Sequence, residues 1–489
     1  MTPEDYRSCG PLAPETPRDT ETVPGNCVSN GAAGRRLWPW LVVGMMLVAG
    51  MGVCVWANVN DFASAKVLVL AGAGMGGLFL CLLVLRPTHV SGGVWAVMIV
   101  VAVMMRLPWF FVPPSVSGDY HRYLWDGAVT AHGISPYVHT PKDVLDNHVD
   151  DPTLDKLARS GRFVLEGINH PKLRTIYPPV AQGAFALAYW ITPFSLNAWR
   201  IVLLAFDIAA ALAVLGLLRS AGLPLLLVFV YLWNPLLVTE TYSGGHVDLL
   251  AAAMVVLFAW ALTTKRPIIA GCALALAIGV KLWPVLLLPF LLRSLWGHWR
   301  RMTVTIGILA TMLVLMAVPF ASAFGAEADS GLLTYARTWS AQPGAYLAFD
   351  KLGLWLRGRL SLTMDNHYIG RSLMMLVLLS LAAWLGLRRP SDASVLCRRM
   401  GLVIMLMLLL SPALWSWYYI AVIPLAAIAS PRLGLLLWTA LLPLIYLEGD
   451  VLSGEHLTWF VHLLAWLVLA AEWAWPHLAE RMRREHTHA

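Results

Sequence analysis

Apolar runs of about 20 residues recur from position 37 to position 475 of this chain, separated mostly by short basic loops. A helix of that length matches the roughly 30 Å thickness of a bilayer's hydrocarbon core. Backbone polar groups inside lipid must be satisfied within the protein, which restricts such runs to bundled helices. The runs fall at residues 37–57, 66–85, 93–113, 199–218, 223–239, 248–264, 302–320, 370–387, 401–413, 417–428, 433–447 and 456–475. The stretch 268–292 fits either one tilted helix or a hairpin, and 179–194 is short and ends in Thr192-Pro193. The expected fold class is an all-α polytopic membrane protein with about 13–14 transmembrane helices.

Composition agrees: 58% of the 489 residues are hydrophobic and 13% charged, against roughly 25% charged in soluble domains. The net charge of +7 is not read as a nucleic-acid footprint, because the cations gather in alternate loops. Arg35-Arg36, Arg86, Arg219, Lys265-Arg266, Arg293 with Arg300-Arg301, Arg388-Arg389 with Arg398-Arg399, Arg432, and Arg481 with Arg483-Arg484 are all expected on the cytoplasmic side. That topology requires 179–194 to dip in and return without crossing, and 268–292 to fold as a hairpin. The loops 112–177, 239–247, 321–369 and 447–455 then share the outer face, with Asp119, Glu240, His246, Asp248, Asp350 and Glu448 on or near it. The 23 Trp suit interfacial belts. The six Cys show no metal-like spacing and no disulfide framework. Residues 1–36 are rich in Pro, Thr, Gly and acidic residues, and read as a disordered cytoplasmic tail.

The chemistry-bearing residues cluster at those outer loops. Ser117-Gly118-Asp119-Tyr120-His121-Arg122-Tyr123-Leu124-Trp125-Asp126-Gly127 follows the run 93–113 and opens the longest polar loop. A carboxylate there, at headgroup depth, could activate a hydroxyl, while Tyr120, His121 and Arg122 could position a sugar or a phosphate. Asp126 lies two helical turns beyond Asp119 and could share its face, or could pair with Arg122. In the segment Asn234 to Asp248, Pro235 ends or kinks one helix, Gly244-Gly245 permits a tight turn, and Asp248 suits the start of the next. Capping does not account for Glu240 and His246, since ionisable residues at membrane depth are costly and face cavities. One His with two carboxylates at irregular spacing is weak evidence for zinc. Lys281 lies a rise of about 21 Å from Pro267 along a helix, short of the hydrocarbon thickness. Its ammonium would end at a cavity floor and could hold a lipid phosphate as a point charge, or could snorkel to the surface. Trp415, Trp417 and Tyr418, after Ser411-Pro412, are either interfacial anchors or a wall on which a sugar stacks.

Taken in order, several segments resemble integral-membrane glycosyltransferases of the GT-C fold. They are Gly118-Asp119-Tyr120 through Gly133-Ile134-Ser135-Pro136-Tyr137, Tyr177-Pro178-Pro179, Asn234-Pro235-Leu236 with Gly245-His246-Val247-Asp248, Val280-Lys281-Leu282-Trp283-Pro284, and Ser411-Pro412 through Trp417-Tyr418. The nearest likeness is to mannosyltransferases that use a polyprenyl-phosphate sugar, including the catalytic subunit of glycosylphosphatidylinositol mannosyltransferase I and bacterial relatives. The resemblance implies a catalytic Asp in the first large outer loop, matched by Asp119. The expected substrate contacts are Tyr120, His121, Arg122, Asp126, Tyr137, Tyr177, Glu240, His246, Asp248, Lys281, Trp415, Trp417 and Tyr418. Many such enzymes carry Asp-x-Asp at the first site. Here Ser117 stands where the first Asp would be, so no metal is expected and no other cofactor is needed for an activated donor. The implied organisation is a tail at 1–36, two additional N-terminal helices within 37–90, a catalytic membrane domain at 91–476 with outer loops 114–177 and 321–369, and a second tail at 477–489.

The function expected is inverting transfer of a sugar, mannose by resemblance, from a polyprenyl-phosphate donor to a lipid- or glycan-borne acceptor. The expected setting is a bacterial inner membrane with the site facing outward. An oligosaccharide ligase and a flippase of lipid-linked sugars are the rival readings. A transporter places charges along a path through both faces, often in repeated halves, whereas here they gather on one face and no repeat is evident.

Overall fold

A computed structural model describes residues 38–61, 64–84, 92–114, 117–321, 331–341, 343–361, 363–430, 432–447 and 456–487. The expected tail at 1–36, Glu448 and part of the loop 321–369 lie outside them. Among the described residues the protein is helical throughout, with one isolated bridge between Ala341 and Ala413 and no strand.

The chain begins with α1 (Trp38–Val59), α2 (Ser64–Val84) and α3 (Gly92–Arg106). A 3₁₀ turn, Leu107–Phe111, extends α3. Next comes α4 (Asp119–Ala131), followed by three short helices over Pro141–Leu145, Pro152–Ser160 and Arg162–Glu166. Polar caps fix the first two: Thr140 and Asp143 form a reciprocal capping box, and Asp151 accepts from the amides of Thr153 and Leu154. Then come α5 (Pro179–Ile191) and α6 (Leu196–Ser220), the latter capped by Ser195. With 13 residues, α5 is too short to cross a bilayer.

The run 223–239 is broken. α7 (Val228–Leu232) and α8 (Pro235–Val238) meet at Asn234, whose side chain accepts from the Leu237 amide, and the segment bends by 52°. After α9 (Asp248–Thr263) and α10 (Pro267–Val280), the run 268–292 also breaks. Lys281 takes an extended backbone, a 3₁₀ turn covers Trp283–Leu287, and α11 (Leu288–Leu295) makes contact with α10. Then follow α12 (Trp299–Phe320), α13 (Asn366–Gly386), α14 (Ala393–Leu410) and, at the C-terminal end, α15 (His456–Thr487).

Among the described residues, six helices are long and apolar enough to cross a membrane, or seven if the bent pair is one span. The remaining apolar runs form helices of 10–17 residues, shorter than a straight crossing requires. The protein is thus an all-α polytopic membrane protein in which many expected crossings are broken or short.

Packing places the first outer loop on the bundle. α4 lies against α5, and a Cβ at Gly127 would stand 2.4 Å from the Phe185 carbonyl oxygen. Without that side chain the two backbones touch, and Tyr123 stacks on Phe185 with ring centroids 4.8 Å apart and planes 9° from parallel. Small-residue contacts of this kind hold helices together where lipid supplies no hydrophobic drive. A buried ion pair ties the next layer: Arg106 Nε meets Asp207 Oδ2 at 2.6 Å, and Tyr231 and Tyr242 both donate to the same carboxylate, at 2.6 and 2.7 Å. The additional helices α1 and α2 pack against this body, with Trp40 beside Trp233 and α2 against the segment Trp438–Leu441.

Candidate active site

The bend at Asn234 delivers Glu240 and His246 to the site. After α8 the backbone makes a single π turn, closed by the Gly244 N–H donating to the Thr239 carbonyl at 3.0 Å. Such turns recur at functional sites. Gly245 then takes φ +71°, a conformation that favours glycine, while its carbonyl accepts from Trp199 Nε1 at 2.6 Å. A Cβ at Gly244 would fall 2.4 Å from the His246 ring, so both glycines are needed to fold His246 back over the turn. Its Nδ1 lies 3.1 Å from Glu240 Oε2 and 2.9 Å from the Glu240 carbonyl oxygen, and its Nε2 is 3.2 Å from Ser117 Oγ.

Burial opposes charging of the His246 ring, but the hydrogen bond and charge of Glu240 outweigh it, and the pKa is raised above the usual histidine value. Glu240 is held from the far end of the chain. Ser416 donates to Oε1, and the Tyr446 hydroxyl lies 3.3 Å from Oε1 and 2.8 Å from Ser416 Oγ. The outer face of the imidazole is covered by Trp417, stacked at 4.0 Å, with Trp415 stacked on Trp417 at 5.0 Å.

Asp119 is the first residue of α4. Its carboxylate accepts from Asn169 Nδ2 at 3.1 Å, its amide donates to Ser117 Oγ at 3.3 Å, and the side chain remains half-exposed. Ser117 therefore touches both Asp119 and His246. Asp248 opens α9, but its side chain does not cap that helix. It pairs instead with Lys281, Oδ1 to Nζ at 2.6 Å, while its buried Oδ2 has no hydrogen-bond partner. The Lys281 ammonium also sits 4.3 Å from the centre of the Tyr418 ring, and Tyr418 shares a hydrogen bond with Tyr335 at 3.1 Å. Lys281 ends α10, where the carbonyl end of a helix favours a cation. Its side chain is 16% exposed, so it is neither sealed in nor extended into solvent.

Asp119, His246 and Asp248 therefore lie within electrostatic reach of one another, Asp248 carries Lys281, and the Tyr177 and Tyr123 hydroxyls, 3.3 Å apart, feel both Asp119 and Asp248. The other expected residues take supporting places. Asp126 is fully engaged, by Arg122 Nε at 3.1 Å and Gln182 Nε2 at 3.2 Å, and burial raises its pKa despite the Arg122 charge. Arg122 also donates to the Leu173 carbonyl at 2.9 Å. Tyr137 donates to the Tyr177 carbonyl at 2.8 Å, which fixes the approach to Pro178-Pro179. His121 sits beside Tyr120 with Nδ1 3.0 Å from the Gly118 carbonyl, and burial lowers its pKa. Asp350 stands apart, 2.7 Å from His367.

Sequence reasoning missed Ser117 as a bridge, Ser416 and Tyr446 beneath Glu240, Tyr335, and the Arg106–Asp207 pair. The pair had a signal, an Asp inside the apolar run 199–218. The hydroxyls had none, because their partners lie 83–206 residues away. Among the described residues no group of three or more His, Cys, Asp or Glu is arranged to hold a metal ion.

No curated protein and no solved structure matches the chain. Residues 175–412, which include Glu240, His246, Asp248 and Lys281 but neither Asp119 nor Trp415, match the model of glycosyltransferase family 87, and on that match the protein is a glycosyltransferase carried by a bundle of membrane helices.

Proposed function

We propose that the enzyme transfers a sugar, mannose by its resemblance to the mannosyltransferases, from a polyprenyl-phosphate donor to a hydroxyl of a lipid- or glycan-borne acceptor at the outer face of the membrane. The observation that carries this reading is the pairing of Lys281, at the end of a broken helix, with Asp248, which lies within electrostatic reach of the carboxylate of Asp119. Asp119 would take the proton of the acceptor hydroxyl as its oxygen bonds to the anomeric carbon. The bond from that carbon to the phosphate oxygen breaks on the opposite face, so the configuration inverts and the lipid phosphate departs with the electron pair. Lys281 would stabilise the growing phosphate charge. Asp248 holds the lysine in place, and its Oδ2, which has no hydrogen-bond partner, is available to a sugar hydroxyl. The Trp415–Trp417 stack supplies an apolar wall of the kind on which sugar rings lie.

The test is label transfer by purified protein in lipid, given a panel of labelled polyprenyl-phosphate sugars and candidate acceptors. Acceptor-dependent incorporation is the expected result. Movement of labelled donor across sealed vesicles without incorporation would replace this reading with a flippase.

A further inference from the structure

A polar cavity, of about 300 Å³, opens between the 3₁₀ turn after α3 and the start of α6, lined by Phe110, Phe111, Val112, Ser195, Asn197 and Arg200 among others. Arg200 is 1% exposed. Its Nε donates to the Tyr242 carbonyl at 2.8 Å, and its Nη1 to the Val112 carbonyl at 3.0 Å and to Asn197 Oδ1 at 3.2 Å. All three acceptors are neutral, Nη2 has no partner, and no carboxylate among the described residues pairs with this guanidinium. The contrast with Arg106, which meets Asp207 at 2.6 Å one layer deeper, is direct. A guanidinium stays charged in a protein, and burying its charge without a counter-ion is costly.

The same cavity receives the first turn of α6. Ser195 caps that helix by accepting from the Ala198 amide, at 3.2 Å. The first amides of a helix have no acceptor within it, and the helix dipole makes this end attractive to anions. The mouth carries Phe111, 79% exposed, at the end of an apolar helix, where acyl chains would pass. We propose that this cavity binds the phosphate group of a membrane lipid, held by the Arg200 guanidinium and the opening amides of α6, with the lipid chains along Phe110 and Phe111. The site is separate from Lys281 and abuts the back of the Glu240–His246 turn through the Tyr242 carbonyl.

Binding is tested on the full-length protein in neutral detergent by titrating dioctanoyl phosphatidylglycerol, dioctanoylglycerol and inorganic phosphate, and following thermal unfolding and native mass spectra. Phosphatidylglycerol should bind saturably, and the uncharged diacylglycerol should bind at least about tenfold more weakly, the scale of losing a charged hydrogen bond. Arg200→Gln should remove that preference. Because Arg200 also supports two backbone segments, Ser195→Asp is the second variant. It keeps a cap for α6 while setting a negative charge in the cavity, and should weaken phosphatidylglycerol about tenfold or more. Inorganic phosphate that binds with the same sensitivity to Ser195→Asp would also support the phosphate site, with a soluble anion as its source. Equal binding of the two lipids, or unchanged phosphatidylglycerol binding in Ser195→Asp, would overturn the proposal. A lipid held only at Lys281 gives that second result, so the outcome is independent of whether sugar transfer is observed.

Discussion

At the scale of single residues, Asp119 and Lys281 carry the chemistry and make opposite demands on an experiment. Asp119 is half-exposed and held by one amide group, so Asp119→Asn keeps its shape and should fold normally. General base catalysis is worth about 10²–10⁴-fold, and turnover should fall by at least the lower figure with donor binding kept. EDTA should leave the wild-type rate unchanged, since one carboxylate beside Ser117 offers no paired oxygen ligands. Near-wild-type transfer by Asp119→Asn would move the search for the base to Glu240. Lys281 cannot be removed so cleanly, because its partner Asp248 is buried. Breaking one half of such a pair costs about 3–5 kcal/mol, so Lys281→Ala alone confuses folding with function. The pair Lys281→Met with Asp248→Asn removes both charges and should fold better than Lys281→Ala, yet use the phosphate donor poorly. Good donor use by that folded double variant would exclude lysine as the phosphate holder. The sequence marked Asp119 as a carboxylate at headgroup depth and Lys281 as a cation deep in an apolar run. It could not show that Lys281 is coupled to Asp248, whose position read as a helix cap.

At the scale of elements, the breaks matter more than the helices. The apolar runs named the helices well because hydropathy alone fixes where backbone must be helical in lipid. Pro235 signals a kink in the run 223–239 and the topology asks 268–292 to fold as a hairpin, but hydropathy gives neither the 52° of the bend nor Lys281 as the point of parting. The bend is what brings His246 over Glu240, and it has a pH signature. The His246 pKa is raised, so the stabilisation from its charged contact is fully present below the ordinary histidine value and is lost as pH rises through the raised one. Thermal unfolding in detergent should therefore drop across that alkaline side of the histidine range, and His246→Gln should flatten the drop. A wild-type curve that rises with pH there would contradict the charged pair. The contact of α4 with α5 is as specific. Gly127→Val would drive a branched side chain into the Phe185 carbonyl, and should lower both thermal stability and transfer by displacing Asp119's helix. A variant as stable and active as wild type would mean that α4 can ride higher on the bundle than the close contact implies.

At the scale of the whole molecule, the site is a meeting of segments that hydropathy treats as unrelated. The loop helix α4, the π turn, the head of α9, the C-terminal end of α10 and the turn after α14 converge at one end of the bundle, and Arg200's cavity lies behind them. This convergence makes orientation a single yes-or-no property. Every cationic loop counted in the sequence must lie on the opposite side from Asp119 if Lys and Arg set the topology. Two exposed positions report on it: His148, between the short helices of the first loop, and Lys265, between α9 and α10. With the native Cys residues replaced, a Cys at His148 should react with an impermeant maleimide added to intact cells, and a Cys at Lys265 should react only after the membrane is opened. The two helices α9 and α10 share one packed face, so Lys265 cannot move to the outer side unless Asp248 and Lys281 move to the inner one. Labelling of Lys265→Cys from outside, with His148→Cys protected, would therefore invert the whole assembly. The acceptor and the lipid-phosphate sugar would then have to be sought in the cytoplasmic leaflet, whereas the chemistry assigned to Asp119 and Lys281 would stand unchanged.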